Sequence, residues 1–477
     1  MIFSDLGIHD KKQFELKLEY LIEGKKSTRH NLDVFYVFPN NLDINSRTFR
    51  SEQFYESLQN YIRIKIPEFS LIELANSNAS IYHEFNRVTG PLSKNEVKKI
   101  IQGIKLFACI LNSALHDYYS SQSFSSRYEV LDFLRYMQSS MLNFRRSKEG
   151  LKKCDSKKVL KVYRIVDEHN SIALEHYYFS LLEYLKEVDK ELFKEFKSEV
   201  IEFIRSEQTY RESLFLDAVT GTKKQNEAFL DKKNSLKKYV QSVLFLNKED
   251  TRQSRRLEQV AFSIAAGIAM IFATGMIVVL KLSTAHISYT TFSLFVISYM
   301  FKDRLKDWIK SYFQKKIQGR FFDFITTITT EEDREVAKIK RNFKFINKKE
   351  LPQYMSYAKP LSWMPKLELS WGMHTIVHYQ NKIEILNSAL KHTYSSHKVG
   401  GIVEIFRFNI EPFTKKIDDS NEEIFVLDKN GYKGMKTMRT YHFYLIVKES
   451  GEGVSFSNLW KIEFNRAGIQ SVSEMNE

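Results

Sequence analysis

The chain has 477 residues, 72 Lys and Arg against 58 Asp and Glu, and a formal net charge of +14, with only 17 glycines and 7 prolines. Its length argues against a single compact domain, and the scarcity of Gly and Pro beside 43% hydrophobic residues excludes a low-complexity chain. Two cysteines, Cys109 and Cys154, cannot build a disulfide framework, and no Cys/His cluster has structural-zinc spacing.

Residues 1–10 offer neither a basic n-region nor an apolar h-region, so targeting is expected from an internal segment. Phe14, Leu16, Leu18, Tyr20 and Ile22 recur at every second position, which predicts a half-buried strand. After a turn at Gly24–Ser27, residues 32–38 are expected to return as its partner, making residues 1–45 a small β-hairpin. Residues 46–247 take helical spacing instead. A helix containing Val97, Ile100, Ile104, Phe107 and Leu111 follows Pro91 and a capping box of Ser93 and Glu96, and further helices are expected at 128–144, 156–185, 191–216 and 226–246. Together these predict a helical bundle.

Residues 248–258 form a basic juxtamembrane segment. The uncharged run at 259–280 is long enough to cross the roughly 30 Å of a bilayer's hydrocarbon core, and a second, more polar run ends at Phe301. The expectation is a two-helix transmembrane hairpin over 259–301, near residues 260–280 and 284–301, with both basic flanks and both termini cytoplasmic. In a bacterium this would be the inner membrane. Ala265, Ala269 and Ala273 place small side chains on one face, suited to the second helix of the hairpin or to a homo-oligomer. His286, near the turn, reads as an interfacial side chain.

Residues 302–320 read as a basic amphipathic helix, with Trp308 and Tyr312 at the interface and Lys306, Lys310, Lys315 and Lys316 drawn to anionic headgroups. Leu236, Tyr239 and Val240 beside Lys232, Lys233, Lys237 and Lys238 suggest a matching collar before the first span. Charge concentrated beside the bilayer favours lipid over nucleic acid as its partner. Residues 321–399 are expected to be a mixed, partly helical connector, with a charged helix at 330–347. Residues 400–477 should form an antiparallel β domain with strands at 402–410, 423–427, 440–448 and 459–464, punctuated by Asn430-Gly431 and Gly451-Glu452-Gly453. The fold class is thus α+β around a membrane hairpin.

No phosphate-binding glycine loop, nucleophile elbow, zinc-protease pair or kinase catalytic loop occurs, and nothing names a cofactor. Two groups of side chains have the types that metal or acid/base chemistry uses. His374 and His378 are four apart, with His392 and His397 close behind. Glu168, His169, Glu175 and His176 repeat at seven residues along one predicted helix. Neither shows a complete ligand set, so polar surface or bundle interior accounts for them more simply. The leading expectation is a non-enzymatic membrane scaffold, tether or regulator that binds a protein partner. A membrane-anchored enzyme with its site in the helical domain, or an oligomeric membrane-perturbing effector, stands behind it.

Overall fold

A computed structural model describes residues 4–22, 26–86, 90, 92–215, 222–283, 289–317, 322–347, 374–393, 399–418, 421–428, 431–451 and 454–475, and divides the chain into two units. The turn at Gly24, Pro91, His286, His397, Glu452-Gly453 and Asn430 lie outside these residues.

The first unit is a β-sandwich built from distant parts of the chain. Its strands are β1 (Ser4–Asp10), β2 (Gln13–Leu21), β3 (Ser27–Pro39), β4 (Leu58–Ile64), β5 (Asn247–Thr251), β6 (Phe324–Thr329), β7 (Glu335–Ile346), β8 (His374–Leu386), β9 (Gly401–Asn409), β10 (Asn421–Asp428), β11 (Gly431–Met438), β12 (Tyr441–Gly451), β13 (Val454–Asn465) and β14 (Gly468–Glu474). A four-stranded sheet of order β1-β2-β9-β4 lies against an eight-stranded sheet of order β14-β13-β12-β3-β8-β7-β6-β5. Aromatic rings bridge the two layers: Phe14 meets Phe443 at 6.0 Å between ring centres, and Tyr36 meets Phe408 at 5.1 Å.

The predicted strand at Phe14 is there, with Phe14, Leu16, Leu18 and Tyr20 all buried. Its pairing differs from the expectation. β2 pairs with β1 and lies next to β9, whereas β3 pairs with β8 and β12, so the two N-terminal strands belong to different sheets. The expected N-terminal hairpin and C-terminal β domain are therefore one sandwich. The charged helix expected at 330–347 is instead strand β7, paired on both sides. Its inward positions Ala337, Ile339 and Phe343 alternate properly, but Arg341 occupies the next inward site and breaks the apolar period.

The second unit is helical, as its 3.6-residue spacing requires. With α1 (Ser51–Ser57) assigned to the sandwich, it contains α2 (Lys94–Ser121), α3 (Arg127–Arg146), α4 (Lys157–Val188), α5 (Lys190–Phe215) and α6 (Lys223–Gln241). Ser93 caps α2 by accepting the Glu96 amide, and the Glu96 carboxylate reaches back to the Ser93 amide. α4 is the central helix, packed on α2, α5 and α6. Phe107, Phe144 and Tyr163 stack through the core at 4.6 and 4.9 Å. The expected basic collar at 232–244 belongs to this unit: Leu236 and Val240 are buried, and Lys232 pairs with Glu168.

Between β5 and β6 the first unit extends α7 (Gln253–Ser283) and α8 (Tyr289–Ile317) as an antiparallel pair. Among the described residues, only Gln259–Val279 is long and apolar enough to cross a membrane. The expected two-helix transmembrane hairpin is thus corrected to one candidate span with a shorter apolar neighbour. Charge is the reason. Among the described residues, the uncharged part of α8 ahead of Lys302 is residues 289–301, about 20 Å long at 1.5 Å per residue, short of the roughly 30 Å a crossing requires.

Candidate functional site

The helix pair exposes a long apolar surface. Phe272 meets Phe301 at 5.7 Å between ring centres, and the Lys310 ammonium sits 4.3 Å from the centre of the Phe262 ring. This register lays Lys302, Asp303, Arg304, Lys306, Asp307 and Lys310 alongside residues 262–271 of α7, the first half of its apolar run. The distal half, from Phe272 onward on α7 and back to Phe301 on α8, is free of charge as far as Val279. Ile271 is 74% exposed, and Val278, Phe292 and Ile297 are also exposed.

Ala265, Ala269 and Ala273 are buried, and since α8 is the principal neighbour of α7, that small-residue face is occupied within the chain. Trp308 and Tyr312 are exposed on α8 near Lys306 and Lys310. The side chains of Lys315 and Lys316 lie outside the described residues.

Inside the sandwich a second feature appears that the sequence reading missed. Glu404 of β9 is fully buried and accepts hydrogen bonds from the Tyr20 hydroxyl (2.9 Å), Asn60 Nδ2 (2.6 Å) and Asn381 Nδ2 (2.8 Å). Arg341, 6% exposed, brings Nη2 to 3.8 Å from Glu404 and Nη1 to 3.9 Å from Asp250. Burial works against the Arg341 charge, but Tyr379, Glu404 and Asp250 more than offset it and keep the guanidinium protonated. For Tyr20, burial and the Glu404 charge both push the hydroxyl well above its ordinary value. The signal in the sequence was one acid inside Gly401–Asn409 and one arginine inside β7, each within an otherwise apolar period.

The helical unit closes its charges in the same way. Arg145 of α3 makes a two-pronged contact with Glu207 of α5 at 2.9 and 2.7 Å, reaches Asp167 of α4 at 3.3 Å, and lies 3.8 Å from the centre of the Tyr210 ring. Arg211 pairs with Glu175 and donates to Ser171. Of the four predicted side chains, Glu175 therefore faces α5, Glu168 faces Lys232 of α6, and His169 faces Asn112 of α2 at 3.2 Å. His176 is partly buried near Lys233, and both burial and that cation lower its pKa. The four do not converge on one point.

His378 pairs with Asp33 at 2.7 Å and stacks on Phe35, both on β3 across from β8. Burial raises the Asp33 carboxyl, but the His378 hydrogen bond and charge outweigh it, so Asp33 titrates below its ordinary value. His374 is opposite Pro39 in the same sheet. Among the described residues, no three His, Cys, Asp or Glu side chains come together to hold a metal ion.

No protein-family model, curated protein or solved structure matches the chain. Function therefore has to be argued from geometry alone.

His169 gives one measurable consequence. Burial, then Lys237 and Lys233, lower it to about 4, and the Asn112 amide donates to its Nε2, which holds the neutral form. In the unfolded chain the same ring titrates near 6.5. Protons thus bind the unfolded state first, and the stability contributed by neutral His169 is full above pH 6.5 and lost as pH falls toward 4. The loss is up to about 3 kcal/mol at 1.36 kcal/mol per unit. His169→Gln should flatten that part of the stability profile of the helical unit, followed by hydrogen exchange of α4 amides. An unchanged acid limb would assign it to other groups.

Proposed function

We infer that this chain is a membrane-attached scaffold whose helix pair enters one leaflet as a wedge, leaving the sandwich and the helical unit in the cytoplasm to bind a protein partner. One observation carries the reading: only 17% of Gln259–Val279 is buried, so α7 is not a core helix of this chain, and water is a poor solvent for its surface. The charged residues of α8 limit how deep the pair can go. Carrying Lys302–Lys310 into hydrocarbon would cost several kcal/mol per charge, so insertion stops near Phe272 and Phe301. Lys281 sets the far limit: the uncharged length of α7 from residue 272 to 280 is about 14 Å, close to the roughly 15 Å of hydrocarbon in one leaflet.

The pairing of β5 with β6, with Thr251 opposite Ile325, supports one-sidedness, because the chain leaves and re-enters the sheet at the same place. Arg252, Arg304, Lys306 and Lys310 supply the basic flank that retains such segments on the cytoplasmic side and draws them to anionic headgroups. A scaffold rather than an enzyme is favoured by the inward closure of the ionic groups of the helical unit, which bind one another across α3, α4 and α5.

The test uses the full chain with Cys109 and Cys154 replaced and a single cysteine at Ser283. After alkaline carbonate extraction the protein should remain with the membrane, and an impermeant thiol reagent applied from outside intact cells should leave Ser283→Cys unlabelled while detergent exposes it. Release by carbonate would overturn membrane insertion. Labelling from outside would replace the wedge by a crossing.

A further inference from the structure

The β10–β11 ribbon stands apart from both large sheets, and every described side chain on it is exposed. Its composition does not suit water. β10 carries Ile424, Phe425, Val426 and Leu427 in succession, and Leu427 is 88% exposed. Strand alternation sends Phe425 and Leu427 to one face and Ile424 and Val426 to the other. Across the ribbon, Leu427 is opposite Tyr432, while Val426 is opposite Lys433 and Glu423 opposite Lys436. The ribbon is therefore amphipathic across its width, with an apolar β10 edge and a partly basic β11 edge. At its root Arg439 is tied to Asp418 at 2.7 Å and to Glu422 at 2.8 Å.

Topology fixes where the ribbon leaves the sandwich. Each neighbouring pair from β12 through β3, β8, β7 and β6 to β5 is antiparallel. Five reversals put the start of β12, which follows the ribbon, at the same end of the sheet as the end of β5, from which α7 departs.

We propose that the β10–β11 ribbon is a second lipid contact, with its β10 edge lying in the headgroup region of the leaflet that takes the helix wedge. Apolar side chains on both faces favour lipid, because a protein docked on one face leaves the other in water, whereas a bilayer surrounds both. Depth is limited by the backbone. Among the described residues no strand pairs with the outer edge of β10, and unpaired N–H and C=O groups cannot enter hydrocarbon, so the strand stays at interfacial depth while Lys433 and Lys436 reach anionic headgroups. Phe and Tyr suit that layer.

The inference rests on the membrane reading of α7, and the experiment separates the two. Full-length chains with Cys109 and Cys154 replaced and one cysteine at either Leu427 or Ile277 carry an environment-sensitive fluorophore and are reconstituted with phosphatidylcholine and phosphatidylglycerol vesicles. Both positions should shift to the blue on adding vesicles. Leu427→Cys should be quenched most by shallow nitroxide lipids and Ile277→Cys by deep ones. Quenching at Ile277→Cys alone would overturn the ribbon contact and leave the wedge standing, and quenching at neither would remove both. A blue shift at Leu427→Cys without nitroxide quenching would mean that protein covers the ribbon, as in edge-to-edge pairing with a second copy, and would equally overturn it.

Discussion

Replacing Glu404 by Ala should destabilise the sandwich by about 3–5 kcal/mol, the usual effect of stranding one member of a buried ion pair. Glu404 is the common acceptor for Tyr20, Asn60 and Asn381, and it faces the Arg341 guanidinium. Removing the carboxylate leaves three donors without an acceptor and leaves the Arg341 charge with only Asp250, which is half exposed and 3.9 Å away. The double variant Glu404→Leu with Arg341→Leu removes both charges and should recover much of the loss, because buried pairs replaced by apolar residues of similar volume are often neutral. Hydrogen exchange of β7 and β9 amides reads the sandwich directly, without assuming that a two-unit chain melts in one step. A double variant as unstable as Glu404→Ala would show that the two groups act through separate neighbours and that the pair is not the unit.

The same strands show what the sequence could tell. β2 was legible because Phe14, Leu16, Leu18 and Tyr20 alternate with Glu15, Lys17 and Glu19, and only Leu21 at its end departs from that period. Pairing was not legible, because β3 finds β8 and β12 more than 300 residues away and nothing local encodes a partner at that distance. β7 was misread as a helix because Arg341 occupies an inward position whose justification, Glu404, lies on a different strand of the other sheet. In the helical unit, Ser93 announced its helix, but Arg145, Glu207 and Arg211 gave no local sign, since each partner lies on another helix. The repeat of Glu168, His169, Glu175 and His176 was real. Adjacent residues on a helix diverge by about 100°, so the acids and imidazoles face different neighbours. For the helix pair, hydropathy found α7, but only the register of Phe272 on Phe301 reveals that the charges of α8 run beside half of it.

Replacing Arg145 by Met should cost the helical unit about 3–5 kcal/mol at neutral pH, with a pH dependence opposite in sign to that of His169. Arg145 holds Glu207 in a two-pronged contact and lies beside Asp167, which also accepts from the Tyr210 hydroxyl at 2.5 Å. In the native chain burial already raises the Asp167 pKa above 3.8, Arg145 and Tyr210 oppose that rise, and the Glu207 charge adds to it. Without Arg145 the largest opposing influence is gone, so Asp167 rises further. A carboxyl whose folded pKa exceeds its unfolded value destabilises the fold above that folded pKa and not below the unfolded one. The variant should therefore regain stability relative to the native chain as pH falls from neutral toward the unfolded carboxyl value of 3.8, measured by hydrogen exchange of α4 and α5 amides in both proteins. Loss of the packing of the Arg145 guanidinium over the Tyr210 ring would also destabilise, but equally at every pH. A pH-independent deficit would assign the stabilisation to that packing, while recovery on acidification would assign it to the charge that Arg145 places between two buried acids.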